Sequence, residues 1–234
     1  MPLDESKDVY GRALYDYYKT GKSKKLQLYT SYGKKEVMPV DWFFRDENDF
    51  PKLEWQALQA CRGKILDMGA GVGSHAVFLV NQGKEVHTLD TSPFCARIMQ
   101  QRGLPVVFHQ DLWAPLNQKY DTLLMLMNGI GIVGTLEGLR QFLMLAKKML
   151  LPGGQIIFDS SDLSYLYPDI SLKLNPYLGE IKYTYQYQKD KGETFTWLYI
   201  DQKNMRQFAE EADWQMNILY EDNNDQYLAT LHPK

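Results

Sequence analysis

The middle of the chain alternates short apolar runs with stretches whose apolar residues recur at helical spacing. The runs Lys64–Met68, Glu85–Asp90, Val106–His109, Thr122–Met127 and Gln155–Ser160 predict five strands. Between them, Ser74–Gln82, Pro93–Arg102 and Thr135–Leu151 predict helices. Gly83 and Gly103 follow the first two as left-handed stops, and Pro152-Gly153-Gly154 ends the third. Strands that alternate with helices build a mostly parallel sheet covered on both faces, an α/β architecture. Farther on, Gly179–Gln188 and Thr194–Ile200 predict a hairpin around Lys189–Glu193, and a helix follows over Gln202–Asp213. Two last strands near Gln215–Tyr220 and Gln226–Leu231 turn through Glu221–Asp225 and therefore run antiparallel.

With 234 residues and 44% hydrophobic content the chain can bury one sizeable core, and no repeat or low-complexity linker divides it. We read 1–234 as a single domain, with a cap or lid over 1–60 and a core over 61–162. A hairpin insertion spans 178–201, and 202–234 carries the last helix and strand pair. A net charge of −3 argues against a broad grip on nucleic acid, and the one basic cluster, Lys22, Lys24 and Lys25, reads as a solvated loop. Cys61 and Cys95 lack the number and spacing for a disulfide framework or a zinc site, so reduced structural thiols in a cytoplasmic protein are expected. The start of the chain has no apolar signal-peptide core. Thr122–Gly134 is too short to span a bilayer and carries Asn128 and three glycines, so a soluble protein with no membrane partner is expected.

The informative segment is Ile65-Leu66-Asp67-Met68-Gly69-Ala70-Gly71-Val72-Gly73-Ser74, a buried strand that ends in an acid and enters a glycine-rich turn before a helix. Glycines permit a tight turn and let a ligand lie on the backbone, and the new helix offers unpaired amide hydrogens. Dinucleotide spacing counted from Gly69 requires a glycine where this chain has Ser74. Asp67 would also sit badly beside a pyrophosphate, whereas it suits a ligand that bears an ammonium and a sulfonium, which favours S-adenosylmethionine. A second acid, Asp90, ends the next strand 21 positions after Gly69, close to the roughly 20 expected of a ribose-binding carboxylate.

These features, with Phe108-His109-Gln110-Asp111-Leu112, the fourth strand into Asn128 and the turn Leu151-Pro152-Gly153-Gly154, resemble the class I S-adenosylmethionine-dependent methyltransferases over roughly 60–162. The resemblance implies a doubly wound seven-stranded sheet of order 3-2-1-4-5-7-6 with an antiparallel last strand, an N-terminal helical cap and an aromatic hairpin insertion. It implies that Asp67, Gly69, Ala70, Gly71 and Gly73 hold the methionine part of S-adenosylmethionine, with S-adenosylhomocysteine as product. Asp90 with Thr91 would meet the ribose, Asp111 with Leu112 the adenine, and Asn128 would bond the cofactor through its backbone.

Methyl transfer to a small-molecule N, O, S or C nucleophile by in-line displacement is the implied reaction, and it needs few dedicated side chains. Asn128-Gly129-Ile130-Gly131 departs from the Pro-Pro-Tyr signature of nucleic-acid base methyltransferases, which further lowers the weight of a nucleic-acid substrate. Asp159 and Asp162 are the candidates for a base. Arg45 could recognise a carboxylate or phosphate, or pair at the surface with Asp46 or Glu47. His75 is either packed or a cofactor contact, and no His/Cys/Asp cluster makes it a metal ligand. Tyr183, Tyr185 and Tyr187 share one strand face, as do Phe195, Trp197 and Tyr199. Such a surface fits a contact with the N-terminal aromatics, a homodimer contact, or a lid formed with residues 10–45. A nicotinamide-dependent oxidoreductase and a non-catalytic cofactor-binding scaffold are the competing functional classes.

Overall fold

The computed structural model describes residues 3–33, 35–164, 177–223 and 225–234. In chain order the elements begin with helix α1 (Val9–Thr20), strands β1 (Leu26–Thr30) and β2 (Lys35–Met38), a 3-10 turn over Val40–Phe44 and helix α2 (Lys52–Ala60). Then come β3 (Lys64–Met68), α3 (Ser74–Asn81), β4 (Glu85–Asp90), α4 (Pro93–Gln101), β5 (Val106–His109) and β6 (Tyr120–Met125). A second 3-10 turn, Gly129–Val133, leads into α5 (Leu136–Met149) and β7 (Leu150–Ser161). The chain closes with β8 (Glu180–Tyr187), β9 (Asp190–Lys191), β10 (Phe195–Leu198), α6 (Gln202–Glu211), β11 (Trp214–Glu221) and β12 (Gln226–Pro233).

Seven strands lie in the order β5-β4-β3-β6-β7-β12-β11. Counted from β3, this is the expected 3-2-1-4-5-7-6. The pairs β3/β4, β4/β5 and β6/β7 are parallel, and β12 runs antiparallel to both β7 and β11.

Two compact units emerge. The first comprises Met1–Phe50, Gly63–Pro115 and Lys182–Phe195; the second comprises Pro51–Arg62, Leu116–Ile181 and Thr196–Lys234. In the first unit, α1 buries Val9, Ala13 and Leu14 against Val72, Cys95 and Ile98, a cluster that Leu26, Val40 and Tyr187 complete. Ser92 caps α4 by accepting from the Cys95 N–H, with Pro93 at the first helical position. The N-terminal segment is not purely helical. Its strand β1 pairs antiparallel with β2 on one side and β8 on the other, which ties the hairpin insertion into a second sheet. Isolated five- and four-residue strands give a weak period-two signal, and the pairing that stabilises β1 comes from residues about 155 positions away. The hairpin is tighter than expected, because Gln188 takes a left-handed φ of 55° and β9 folds straight back on β8.

In the second unit, Thr135 lies outside α5 as its cap, accepting from the Gly138 N–H. β7 starts five residues before the expected Gln155, because its register on β6 slips between Tyr120 and Thr122 and admits Pro152-Gly153-Gly154 within the strand. β6 stops two residues early, where Met127 and Asn128 turn left-handed. The turn between β11 and β12 includes Asn224, which lies outside the described residues. Trp214 is 1% exposed and its indole donates to the Leu143 carbonyl at 3.2 Å. Among the described residues no helix is long and apolar enough to cross a membrane. Trp214→Ala removes the largest fully buried side chain of this core and is expected to cost about 3–5 kcal/mol, read as a lower midpoint of denaturant unfolding.

Candidate functional site

The glycine-rich turn lies at the end of β3 in the first unit. Gly69, Gly71 and Gly73 all have φ between 56° and 77°, which explains the residue type at three alternate positions. The Gly69 and Ala70 N–H groups donate to the Leu89 carbonyl at 2.8 and 3.1 Å, which folds the turn against the end of β4. A Cβ on Gly73 would strike Leu104 and Met99, so that glycine serves close packing. Above Gly71 the space is open, and the nearest atom to an added Cβ there is the Tyr10 hydroxyl oxygen at 3.9 Å. Ser74, the residue that breaks the dinucleotide pattern, donates its hydroxyl to the Phe43 carbonyl at 2.7 Å.

Three expected carboxylates lie in this unit in different environments. Asp67 is 3% exposed, and its Oδ2 is buried with no hydrogen-bond partner. Burial pushes its pKa up to about 6, opposed by the nearby His75, itself buried and packed against Phe50. Asp90 accepts from the Gly71 N–H and the Ser92 N–H, both at 2.8 Å, which joins the glycine turn to the tip of β4. Burial also raises Asp90 to about 6, although both backbone donors oppose it. Asp111 accepts from the Trp113 N–H at 3.0 Å and closes the turn after β5, beside the buried Leu112. Thr91 is exposed; its carbonyl accepts from the Leu3 N–H at 2.9 Å and lies 3.0 Å from His109 Nε2.

An aromatic cover lies on the same unit. Tyr10 on α1 stacks on Tyr185 at 5.0 Å and meets the edge of Phe43 at 5.4 Å; Tyr185 in turn stacks on Phe195 at 5.5 Å. This is the contact between hairpin and N-terminal aromatics that the alternation allowed. Burial pushes the Tyr10 phenol well above its ordinary pKa, and Cys95, Tyr185 and Asp90 add to the shift. Asp8 caps α1 through the Gly11 N–H at 2.7 Å and also accepts from the Ser92 hydroxyl, so α1 is fastened to the turn that carries Asp90. Sequence reasoning placed Tyr10 only within an N-terminal aromatic segment, and it missed Asp8 and Gln110, whose Nε2 is buried without a partner. An aspartate just before an apolar helical stretch signals the Asp8 cap; nothing local singles out Gln110. Arg45 is buried: it is 8% exposed and its guanidinium carbon lies 4.1 Å from the centre of the Trp42 ring, while Asp46 accepts from the Asn48 N–H.

The second unit holds Asn128, Asp159 and Asp162. Asp159 is 1% exposed and accepts from the Asn128 N–H at 2.9 Å, the Gln226 amide at 2.8 Å and the Gly129 N–H at 3.4 Å. Burial raises its pKa to about 6 against those three donors. The Asn128 backbone bonds within the protein, its N–H to Asp159 and its carbonyl to the Trp197 indole at 3.0 Å. Met127 and Asn128 have φ of 64° and 55°, at a cost of about 1–3 kcal/mol each for residues with a side chain. Asp162 accepts from the Ser164 N–H at 2.8 Å and is half-buried.

A buried carboxylate oxygen with no donor, beside an open stretch of glycine backbone, is a poor arrangement for an empty protein and a good one for a ligand with a positive charge. The positive end of S-adenosylmethionine has the charge that such a group would take. A methyltransferase from Bacteroides fragilis described as S-adenosylmethionine-dependent, solved with S-adenosyl-L-homocysteine, is 38% identical to this chain. The match covers 99% of this chain and 97% of that one, with a TM-score of 0.93. An S-adenosylmethionine-dependent methyltransferase from Clostridium acetobutylicum matches at TM-score 0.58 and 15% identity, over 80% of this chain and 93% of its own. CalS10, an amino pentose methyltransferase from Micromonospora echinaspora solved with S-adenosylmethionine, matches at TM-score 0.53 and 13% identity, over 76% and 86%. No protein-family model matches the sequence, and no curated protein matches it.

Burial holds the folded pKa of Asp67 near 6 against an ordinary 3.8, so the folded state binds the proton more tightly than the unfolded one. The unliganded protein should therefore gain stability as pH falls through that window. Measured against Asp67→Asn, which has no such proton, the wild type is expected to gain about 1 kcal/mol between roughly pH 7.5 and pH 5. Paired unfolding curves at the two pH values check this; a constant difference would contradict it.

Proposed function

The chain belongs to the class I S-adenosylmethionine-dependent methyltransferases, and we propose that it methylates a small-molecule acceptor by in-line transfer, as one domain in the cytoplasm. The cofactor is S-adenosylmethionine, which supplies an activated methyl group on a sulfonium. Asp67 and the turn Gly69, Ala70, Gly71 and Gly73 hold the methionine end, with the Asp67 carboxylate as the acceptor for its positive charge. Asp90, with Thr91 beside it, takes the ribose hydroxyls, and Asp111 with Leu112 takes the adenine. The protein's own task is then alignment and exclusion of water.

The single observation that carries this reading is the unpartnered Asp67 Oδ2 on the strand that leads into the open turn of Gly71. A small acceptor is supported by the aromatic cover of Tyr10, Phe43, Tyr185 and Phe195, and by a net charge of −3 that gives no general hold on a polyanion. The amino pentose enzyme shares the fold alone and so fixes no acceptor for this chain. Buried thiols at Cys61 and Cys95 suit a reducing compartment.

Incubation with methyl-labelled S-adenosylmethionine and fractionated metabolite, protein and RNA pools should label the metabolite pool; label only in RNA or protein would overturn the small-molecule reading. Cofactor binding without label in any pool would make the chain a binding scaffold. By calorimetry, Asp67→Asn should weaken S-adenosylmethionine binding roughly tenfold or more. Wild-type affinity should also fall as pH drops through about 6, because the cation requires ionised Asp67 and the two ribose hydroxyls require Asp90 as an acceptor at both oxygens. Affinity independent of pH would contradict the assignment.

A further inference from the structure

In the second unit, several polar groups close on one residue whose backbone conformation disfavours its side chain. Asn128 has φ 55° directly after Met127 at φ 64°. Its N–H donates to Asp159, its carbonyl accepts from the Trp197 indole, and its side-chain oxygen accepts from the Ser161 hydroxyl at 2.8 Å. The Asp159 carboxylate also accepts from the next amide, Gly129, and is itself fixed by Gln226 from β12. A Cβ at Gly131 would overlap the Trp197 indole, so the indole lies directly on this turn. Strands β7, β10 and β12 thus contribute to holding one asparagine.

Glycine at 128 would adopt the same backbone without restraint, so a plain turn needs no such arrangement. Strain of this kind persists only where its surroundings over-determine it, and it is found where a side chain must be presented in one orientation. The turn follows the carboxyl end of β6, the side of a doubly wound sheet at which ligands bind.

We propose that Asp159 is a positioning residue for methyl transfer: its carboxylate clamps the Met127-Asn128-Gly129 turn, while Ser161 and Trp197 fix the side chain and carbonyl of Asn128, so that the Asn128 amide meets the acceptor in one orientation. Asp159 then takes no proton from the substrate. This rests on the methyltransferase reading above. The chemistry it assigns to the acceptor is a polar group able to hydrogen-bond an amide next to the nucleophile.

The test pairs two readouts on the full chain. Amide hydrogen exchange at Asn128 and Gly129 reports the clamp without any acceptor. Initial-rate kinetics with the labelled acceptor fraction reports its consequence. Asp159→Asn should accelerate exchange at both amides and lower kcat roughly tenfold or more, with the KM for S-adenosylmethionine within about twofold of wild type. Ser161→Ala leaves the carboxylate in place; it should lower kcat about threefold at an unchanged unfolding midpoint, and it decides the matter if Asp159→Asn does not fold. Unchanged exchange in a folded Asp159→Asn, or full kcat in either variant, overturns the proposal. A wild type that labels no acceptor defeats the functional reading instead, and the exchange data still decide the clamp.

Discussion

An ionised carboxylate out of water needs a partner, and Asp67 has none for its Oδ2. Most other buried or half-buried acids of this chain are answered. Asp8 is met by Gly11 and Ser92, Asp90 by Gly71 and Ser92, and Asp159 by Asn128, Gly129 and Gln226. Among the described residues a satisfied buried carboxylate is the rule, and the departure lies on the strand that leads into the open turn of Gly71. A cation bound there would compensate the charge, which makes the exception the natural centre of the site.

Several unrelated requirements meet around that point. Gly73 must be small because Leu104 and Met99 lie against it, whereas Gly71 has free space above it, so adjacent glycines of one motif answer different needs. Asp90 organises the turn through Gly71 and the start of α4 through Ser92, and Asp8 extends the same hydrogen-bonded chain to α1. The helix that carries Tyr10 over the glycine turn is thus fastened through Ser92, the residue that also donates to Asp90. Cover and cradle within this unit are mechanically one piece.

Much of this was legible in the sequence because the governing interactions are local. The acid-glycine turn, the cap at Ser92 and the alternation of strands with helices all announce themselves within a few residues, and the strand boundaries of β3, β4 and β5 coincide with those expected. What escaped depends on distant partners. β1 and β2 are short, and the strand on the other side of β1, β8, lies far away in sequence. The burial of Arg45 beneath Trp42 has no local signature, nor does the placement of Tyr10 over Gly71. The donors that occupy Asp159 have no local signature either, since they come from β12 and from a turn about thirty residues earlier.

Asp67 is a buried carboxylate with no donor at Oδ2, a group that a bound cation would compensate. Carbon-detected NMR titration of the Asp67 carboxyl, in the free protein and with S-adenosylmethionine bound, tests it most directly. The account predicts a pKa near 6 in the free protein that falls to or below the ordinary 3.8 in the complex. An Asp67 that titrates at the same pH in both states would contradict it.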